Sequence, residues 1–269
     1  MQSNLVERTI AGVLRETLSA ATDELYVVDP TPETIEALVD VLGEGAPTVR
    51  LLASEQTLKS VMDDFIVASS AADHAEAGRL ELRTYEAGAN TLLVTEESVV
   101  SVVHAGDRVA GLGTDDEAFI ESAYERFTDA WADADEFGLR TPAISRVRST
   151  LETQLGDATA DDFDAVLTSL ETARGNGDGL DEVTISLLVA ARNEDLLYDI
   201  SKWGEDVGIA SKATFSRTKT RMEEMGLLDT EKVPIDIGRP RLRLKLGDDR
   251  LKDADNGQLA SVAQSMLAA

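Results

Sequence analysis

Four apolar side chains near the C-terminus recur at helical spacing: Leu196, Ile200, Trp203 and Val207. Gly208 follows them, and a second helix fits the residues from Ser211 to Met225. Ser211 can cap the start of that helix and Gly226 can end it. The pattern therefore predicts two short helices joined by a turn that contains glycine, which is the layout of a helix-turn-helix.

The second helix is predicted to have two unlike faces. Phe215, Met222 and Met225 fall on one side when the residues are placed around a helix. The other side carries small and polar residues and an arginine, bordered by two more cations: Ala213, Ser216, Arg217, Thr220, Lys212 and Arg221. We expect the apolar side to pack on the first helix and the polar side to face solvent.

A hairpin is predicted downstream of the two helices. From Arg241 to Leu246, arginine or lysine alternates with leucine, which indicates a strand with one basic and one apolar face. The partner strand is expected to begin with Leu227 and Leu228, and Arg239 falls at or near the tip. A third helix is expected from Asp181 to Arg192. Together these elements predict a winged helix-turn-helix over residues 180–250.

Residues 1–140 read as a different domain, because helix-like and strand-like stretches alternate there. We expect a helix over residues 3–20, then three strands separated by helices, one of which covers residues 56–72. Three strands joined by tight turns follow, and then a long helix from Asp115 to Ala134. The side chains predicted to point inward from that helix are Phe119, Ile120, Ala123, Phe127, Ala130 and Trp131. Parallel strands followed by hairpins predict a mixed sheet in a sensor-like or assembly α/β domain.

Residues 141–179 are predicted to form a helical connector, ending in a glycine-rich break. The apolar faces of its two helices need burial, which a second subunit would supply, and a homodimer would present two recognition helices to a palindromic site. The alternative is that these helices pack on their own chain. A short helix is expected within residues 251–269. The overall fold class is thus α/β plus α+β, with a helical connector.

The charge of the chain is strongly negative, with 51 acidic residues against 25 basic ones and a net charge of −26. A chain of this charge should repel DNA. Residues 208–246 are the exception, with nine basic and five acidic residues. Arginine outnumbers lysine 18 to 7, and the composition resembles that of proteins from halophilic archaea that accumulate salt. In about 1 M salt the screening length is only about 3 Å, so short-range contacts should carry more of the affinity for DNA.

The basic region predicts which side chains meet DNA. Arg217 is the candidate for bidentate recognition of guanine, and Ser216 and Thr220 are candidates for base or phosphate contacts. Arg239 is placed to enter a minor groove from the hairpin tip. The other candidates are expected at phosphates or at the borders of the helix: Ser211, Lys212, Thr214, Arg221, Arg241, Arg243 and Lys245. The alternative is a surface helix that carries charges only for solubility.

Two loops of the α/β domain are candidates for ligand binding. Asp29 and Thr31 follow the first predicted strand, and Ser54 and Glu55 follow the second. Ligands of open α/β sheets bind at the carboxyl ends of strands, and helix N-termini favour anions, such as a phosphorylated sugar. Ordinary helix capping needs the same residue types and is the alternative. His104 and Arg108 are a further candidate pair, although a structural role fits them better.

Motifs of known enzymes and metal sites are missing from the sequence. It contains no phosphate loop, no GxGxxG, no GxSxG and no cysteine. Two isolated histidines do not make a zinc site. We therefore expect no catalytic residue, no metal and no cofactor. No apolar run approaches the ~20 residues that span a bilayer, and a cytoplasmic protein is expected.

The segment TFSRTKTRMEEMGLL is similar to the recognition helix and following strand of archaeal winged-helix regulators, which commonly read TxSRxxxRLEExGLL. Lys219 occupies one of the positions marked x, which is normally apolar in these regulators. Over nearly its full length the chain resembles the TbsP family of haloarchaeal TrmB-suppressor regulators. The resemblance implies a DNA-binding regulator of central carbon metabolism (sugar breakdown and gluconeogenesis). The alternatives are an N-terminal domain that binds only another protein and, less favoured, an enzyme on the α/β domain.

Overall fold

The computed structural model describes residues 4–86, 88, 90–174, 179–235 and 240–268. Contacts divide the chain into two units. The N-terminal unit comprises Met1–Asp63 and Ser70–Leu139, and the C-terminal unit comprises Asp64–Ser69 and Arg140–Ala269. By contacts, residues 141–179 therefore belong with the winged helix. The domain limits expected at residues 140, 179 and 250 stay predictions.

The N-terminal unit is built on a mixed sheet, and eight of its strands lie in the described part of the chain. They are β1 Asn4–Glu7, β2 Glu24–Val28, β3 Thr48–Ala53, β4 Leu80–Thr84, β5 Leu92–Val94, β6 Val99–Ala105, β7 Arg108–Thr114 and β8 Asp135–Glu136. Their order is β1-β7-β6-β5-β2-β3-β4-β8. Neighbours β2, β3 and β4 are parallel and the other pairs antiparallel. The predicted mixed sheet is confirmed.

The helices described up to residue 139 are α1 Ile10–Ala20, α2 Pro32–Val41, α3 Glu55–Met62, α4 Phe65–Glu76 and α5 Glu117–Asp133. The first residues of α4, up to Ser69, are assigned to the C-terminal unit. Helix α5 packs on Tyr26, Val28, Val94 and Val99 of the sheet through Ile120, Phe127 and Trp131. Phe119 was wrongly predicted to point inward. It lies one position off that stripe, and 56% of its surface is exposed.

Two predicted helices differ from the structure. Residues 4–7 form strand β1, which pairs with β7, so the helix expected from residue 3 begins only at Ile10. The helix expected over residues 56–72 is broken between α3 and α4 at Asp64. The buried carboxylate of Asp64 accepts the backbone N–H groups of Ile66 (3.0 Å) and Ala173 (3.2 Å), and Arg174 Nε donates to it at 3.2 Å. The bond from Ile66 is local and the bonds from residues 173 and 174 are tertiary; together they outweigh the continuous helical pattern of the sequence.

The C-terminal unit is helical apart from one antiparallel ribbon in the described residues. Its elements are α6 Ile144–Leu155, α7 Asp157–Thr168, α8 Glu182–Arg192, α9 Leu197–Val207, α10 Lys212–Glu224, β9 Leu228–Val233, β10 Arg241–Leu246, α11 Asp249–Asp253 and α12 Asn256–Leu267. Helices α8, α9 and α10 followed by the β9–β10 ribbon form a winged helix-turn-helix, which confirms the predicted fold class. Part of the glycine-rich break, residues 175–178, lies outside the described residues.

The connector helices α6 and α7 are buried in the same core as the winged helix. Phe163 of α7 meets Trp203 of α9 edge to face, with ring centroids 6.4 Å apart. The Trp203 indole N–H donates to Thr150 Oγ1 of α6 at 3.0 Å. The expectation that these helices need a second subunit for burial was therefore wrong, because their own chain covers them. Dimerisation itself stays a prediction.

Candidate nucleic-acid interface

The turn between α9 and α10 is fixed by two glycines. Gly208 ends α9 in the left-handed region, with φ = 97°, which is accessible to glycine without a Cβ clash. The carbonyl oxygen of Gly204 accepts the backbone N–H groups of Ile209 (2.8 Å) and Gly208 (3.2 Å). Gly204 also lies against the ring of Phe215: an ideal Cβ on it would lie 2.3 Å from Phe215 Cε2. The two helices of the motif therefore cross at close approach.

Helix α10 buries one side and exposes the other, as the pattern predicts. Phe215 and Met222 are fully buried. Met225, expected on the buried side, caps the helix end and is 38% exposed. The exposed side carries Ala213 and four of the predicted contact residues: Ser216, Arg217, Thr220 and Arg221.

Lys219 is accommodated at its buried position by an ion pair. Its side chain is largely covered, and Nζ bonds Glu223 Oε2 at 2.8 Å. The other oxygen of Glu223 accepts a hydrogen bond from Thr230 of β9 at 2.9 Å. The aliphatic stem of the lysine thus replaces an apolar side chain, while the charge reaches a partner at the edge of the core.

The predicted contact residues at the start of α10 also serve the fold. Ser211 Oγ accepts the N–H of Thr214 at 3.2 Å and so caps the helix, and the two hydroxyls are 3.0 Å apart. Lys212 pairs with Glu205 of α9 at 2.7 Å. Arg217 and Arg221 differ from Lys212. Within the described residues neither has a carboxylate within 4.0 Å, and an Nη of Arg217 donates to the Thr214 hydroxyl at 3.4 Å. The arginine predicted to recognise guanine is thus exposed and not held by an acid.

The basic face of the ribbon is paired with acids of its own unit. Leu244 and Leu246 are buried, whereas Arg241, Arg243 and Lys245 are partly exposed. Each cation has a carboxylate partner: Arg241 has Asp199 (3.4 Å), Arg243 has Glu194 (3.8 Å) and Lys245 has Glu231 (2.8 Å). The hydrogen bond from Lys245 lowers the pKa of Glu231. A phosphate that contacts this face would have to compete with these carboxylates. Arg239, predicted at the tip, lies outside the described residues.

Tyr198 is a candidate that sequence reasoning missed. The guanidinium of Arg241 lies over its ring, 4.3 Å from the centroid, and the tyrosine is 46% exposed. This stacking holds Arg241 beside the start of α9. The sequence contained one indication of this role: Tyr198 lies off the apolar stripe of its helix, and a large aromatic side chain at an exposed position often has an interaction partner.

Asp195 occupies the turn between α8 and α9 and joins the helices to the ribbon. Its carbonyl accepts the N–H of Leu244 at 2.9 Å, and its carboxylate accepts the hydroxyl of Thr159 at 2.9 Å. Burial raises the pKa of Asp195 to about 6, with a smaller contribution from the charge of Asp199, while the Thr159 bond opposes the shift. The folded chain therefore holds this proton more tightly than the unfolded chain does.

We expect Asp195→Asn to stabilise the protein at neutral pH. Above pH ~6 the buried charge costs stability, and the cost disappears as the pH falls towards the pKa of the unfolded chain. Because the carboxylate is only partly buried, solvent screens its charge, and the gain should be only about 1 kcal/mol near pH 7.5. Thermal melts from about pH 7.5 to about pH 5 measure it. A gain that stays constant over this range would contradict a charge-based origin.

The candidate ligand residues of the N-terminal unit lie at one edge of its sheet. Asp29 and Ser54 follow the adjacent parallel strands β2 and β3. Thr31 Oγ1 accepts the N–H of residue 34 at 3.2 Å and Ser54 Oγ that of residue 57 at 3.1 Å, so both act as helix caps. Glu55 pairs with Lys59 at 2.6 Å. Asp29 adopts φ = 48°, an unusual value for a residue with a Cβ. Their binding of a ligand stays a prediction.

The proposed pairing of His104 with Arg108 is wrong. In the β6–β7 hairpin His104 lies opposite Val109, and Arg108 lies opposite Ala105. Because successive side chains alternate between the faces of a sheet, the two side chains point to opposite faces. No group of three or more potential metal ligands occurs among the described residues. None of the helices described is long and apolar enough to cross a bilayer.

The paired helices, the exposed polar face of α10 and the antiparallel ribbon define a winged helix-turn-helix DNA-binding domain. The sequence gives the particular family. Residues 143–264 match the C-terminal HTH domain of TbsP-like transcriptional regulators, and residues 2–142 match the N-terminal domain of the same regulators. The chain therefore belongs to the TbsP-like transcriptional regulators. The resemblance found in the sequence is confirmed.

Two solved structures are similar to parts of the chain. TrmBL2, described as an archaeal chromatin protein with a novel mode of DNA binding, shares 19% identity over 51% of this chain and 54% of its own, with a TM-score of 0.37. The match thus spans about half the length of TrmBL2. NucT from Helicobacter pylori shares 11% identity over 50% of this chain and 98% of its own, with a TM-score of 0.34. No match occurs among curated proteins.

Proposed function

We propose that this regulator recognises specific promoter sequences by placing α10 in the major groove of DNA. The observation that supports this most directly is the exposed side of α10, where Ser216, Arg217 and Thr220 stand together. Arg217, which has no acidic partner in the described part of the unit, would donate to guanine O6 and N7, while the two hydroxyls contact bases or phosphates.

The residues around α10 would set its position on the duplex. Ser211, Lys212 and Thr214 lie at the helix N-terminus, where backbone N–H groups favour phosphate. The ribbon cations Arg241, Arg243 and Lys245 would contact the backbone beside it. Their acidic partners reduce the net attraction of this face for any polyanion. The proposed consequence is a modest general affinity for DNA, with sequence selectivity resting on Arg217 and Arg221 of α10, which have no carboxylate partner among the described residues.

The N-terminal unit is proposed to sense a metabolite that reports on central carbon metabolism, such as a small phosphorylated sugar. The family resemblance supports the regulation of central carbon metabolism. The carboxyl ends of the adjacent parallel strands β2 and β3 support a metabolite site near Asp29 and Ser54. The alternative is that this unit binds only another protein. Two copies of the chain would read a palindromic operator in the cytoplasm, where the chromosome lies.

Chromatin immunoprecipitation with sequencing, on the full chain in its own host, tests the regulatory part. We expect enrichment at promoters of genes for sugar breakdown or gluconeogenesis. Enrichment confined to other genes would overturn the metabolic assignment and leave DNA recognition standing, whereas no enrichment at promoters would overturn both.

Calorimetry and thermal melts with a panel of phosphorylated sugars test the sensing part. At least one sugar phosphate should release or absorb heat and raise the melting temperature, because a ligand that binds only the folded state stabilises it. Ser54→Ala should reduce this rise in melting temperature. Lys59→Ala, in the same helix, is the control and should reduce it less. No heat and no shift with any sugar would favour the protein-binding alternative.

A further inference from the structure

One side of the outer three strands of the N-terminal sheet is open to solvent. The strand register places Val6 of β1, Ala110 of β7 and Val103 of β6 side by side. Leu112 and Ser101 form the next row on the same side. We name these five residues the outer sheet face. The opposite side of the same strands is closed, since Val100, Val102 and Val109 are buried.

The outer sheet face is apolar and exposed. Helix α5 covers the middle of the sheet on this side, through contacts with Val94 and Val99, but it leaves the outer rows uncovered. Val6 is 59% exposed, Leu112 46% and Val103 40%. These are three of the seven large apolar side chains that are exposed among the described residues. Clustering of this kind, and not single exposed apolar residues, indicates an interaction surface.

The charges around the outer sheet face indicate what covers it. The remaining positions of β1, β6 and β7 on this side are Asn4, Val99, Ala105, Arg108 and Thr114, so these three strands present no acidic residue there in a chain with 51. Acids stand instead at the ends of the strands, at positions 96, 97, 107, 115 and 116. A basic partner would gain from acids at the centre of its contact. A second copy has the same net charge of −26, and it can approach closely only where acids are absent.

We propose that a second copy of this chain covers the outer sheet face, with the two sheets packed face to face about a two-fold axis. In a two-fold contact the same patch is used twice, so an apolar centre meets an apolar centre and an acidic rim meets an acidic rim. The inference rests on the two-copy regulator proposed above and names the surface that forms it.

The acidic rims give this contact a distinctive dependence on salt. Rim repulsion is screened in concentrated salt, where the Debye length falls to about 3 Å, and it grows as the salt is diluted to about 0.1 M, where that length is about 10 Å. Self-association through the outer sheet face should therefore strengthen as salt is added. Binding of a basic protein, or of DNA, weakens under the same change.

Light scattering coupled to size-exclusion chromatography of the full chain tests the proposal. In molar KCl the native protein should have twice the 28.9 kDa mass of one chain. Val103→Asp combined with Leu112→Asp should restore the single-chain mass. Ile235→Asp is the matched control, because Ile235 is 40% exposed like Val103 but lies in the C-terminal unit, and it should leave the doubled mass unchanged. Circular dichroism verifies that each variant is folded. Where the double aspartate variant fails to fold, Val103→Thr with Leu112→Thr, which suits a strand, replaces it.

The outcomes are distinct from those of the DNA experiments, because mass is measured without DNA. A native chain of single-chain mass in molar KCl would overturn the proposal. So would a doubled mass that survives both folded face variants, or that Ile235→Asp abolishes. Dissociation of the species of doubled mass as salt is added, with the fold unchanged, would also overturn it, because added salt weakens the attraction between opposite charges.

Discussion

Gly204→Ala is expected to destabilise the C-terminal unit by roughly 2–3 kcal/mol, although alanine is the better helix former by about 1 kcal/mol. An ideal Cβ at this position would lie 2.3 Å from Cε2 and 2.4 Å from Cζ of Phe215. That ring is fully buried, in the same core as Trp203, and cannot swing into solvent. Helices α9 and α10 would have to separate, which disturbs the geometry of the whole motif.

Chemical denaturation of the full chain measures the effect, and two variants make the test specific. Gly257→Ala, also in a helix, places its Cβ no closer than 3.6 Å to Asp255 and should be neutral or slightly stabilising. In a Phe215→Leu background the smaller side chain relieves part of the clash, so Gly204→Ala should cost less there than in the native chain. Equal costs in both backgrounds would show that the ring is not the cause.

The two glycines of the motif show what a sequence pattern can and cannot reveal. Gly208 was predictable, because a glycine after a helical stripe indicates a helix end and needs no knowledge of the partner. Gly204 was not, because its role depends on which residue of another helix it meets. It lies within a predicted helix, where glycine is ordinarily a small loss of stability.

The ends of the N-terminal unit show how pairing overrides a local pattern. Val6 fits the helical stripe of α1 by spacing, yet it lies in β1, because β7 offers its backbone groups a ladder of hydrogen bonds. Phe119 fits the inward side of α5 by composition, yet it lies one position off the buried stripe and is exposed. Hydrophobic spacing alone does not predict which strand will pair with a segment, or how a helix is rotated about its axis when it packs on a sheet.

The candidate interface was predictable in its position but not in its electrostatics. Counting charges located the basic region over residues 208–246, and the helical pattern placed Ser216, Arg217 and Thr220 on one side of α10. Which cations have internal partners depends on tertiary contacts: Arg241 meets Asp199, 42 positions earlier in the chain. A net local charge therefore overstates the number of cations available to DNA.

That distinction makes Arg217 the most informative side chain of the proposed interface. Arg217→Ala is expected to weaken binding to the operator by about 1–3 kcal/mol, or roughly fivefold to 150-fold. It should weaken binding to unrelated duplexes much less, because a bidentate bond to guanine exists only at the correct base. Arg217→Lys should recover little of the loss, since an ammonium cannot reproduce the planar fork of the guanidinium.

Fluorescence polarisation with operator and scrambled duplexes, at the same salt concentration, measures both affinities. Arg241→Ala should weaken the two duplexes about equally and by less, because this cation already has Asp199 and the ring of Tyr198 as partners. Arg148→Ala is the charge-matched control: Arg148 lies on α6 and pairs with Asp164 of α7 at 2.6 Å, so its loss should leave both affinities unchanged. If Arg217→Ala weakened operator and scrambled duplexes to the same extent, Arg217 would be a phosphate contact, and sequence recognition would have to come from elsewhere on α10.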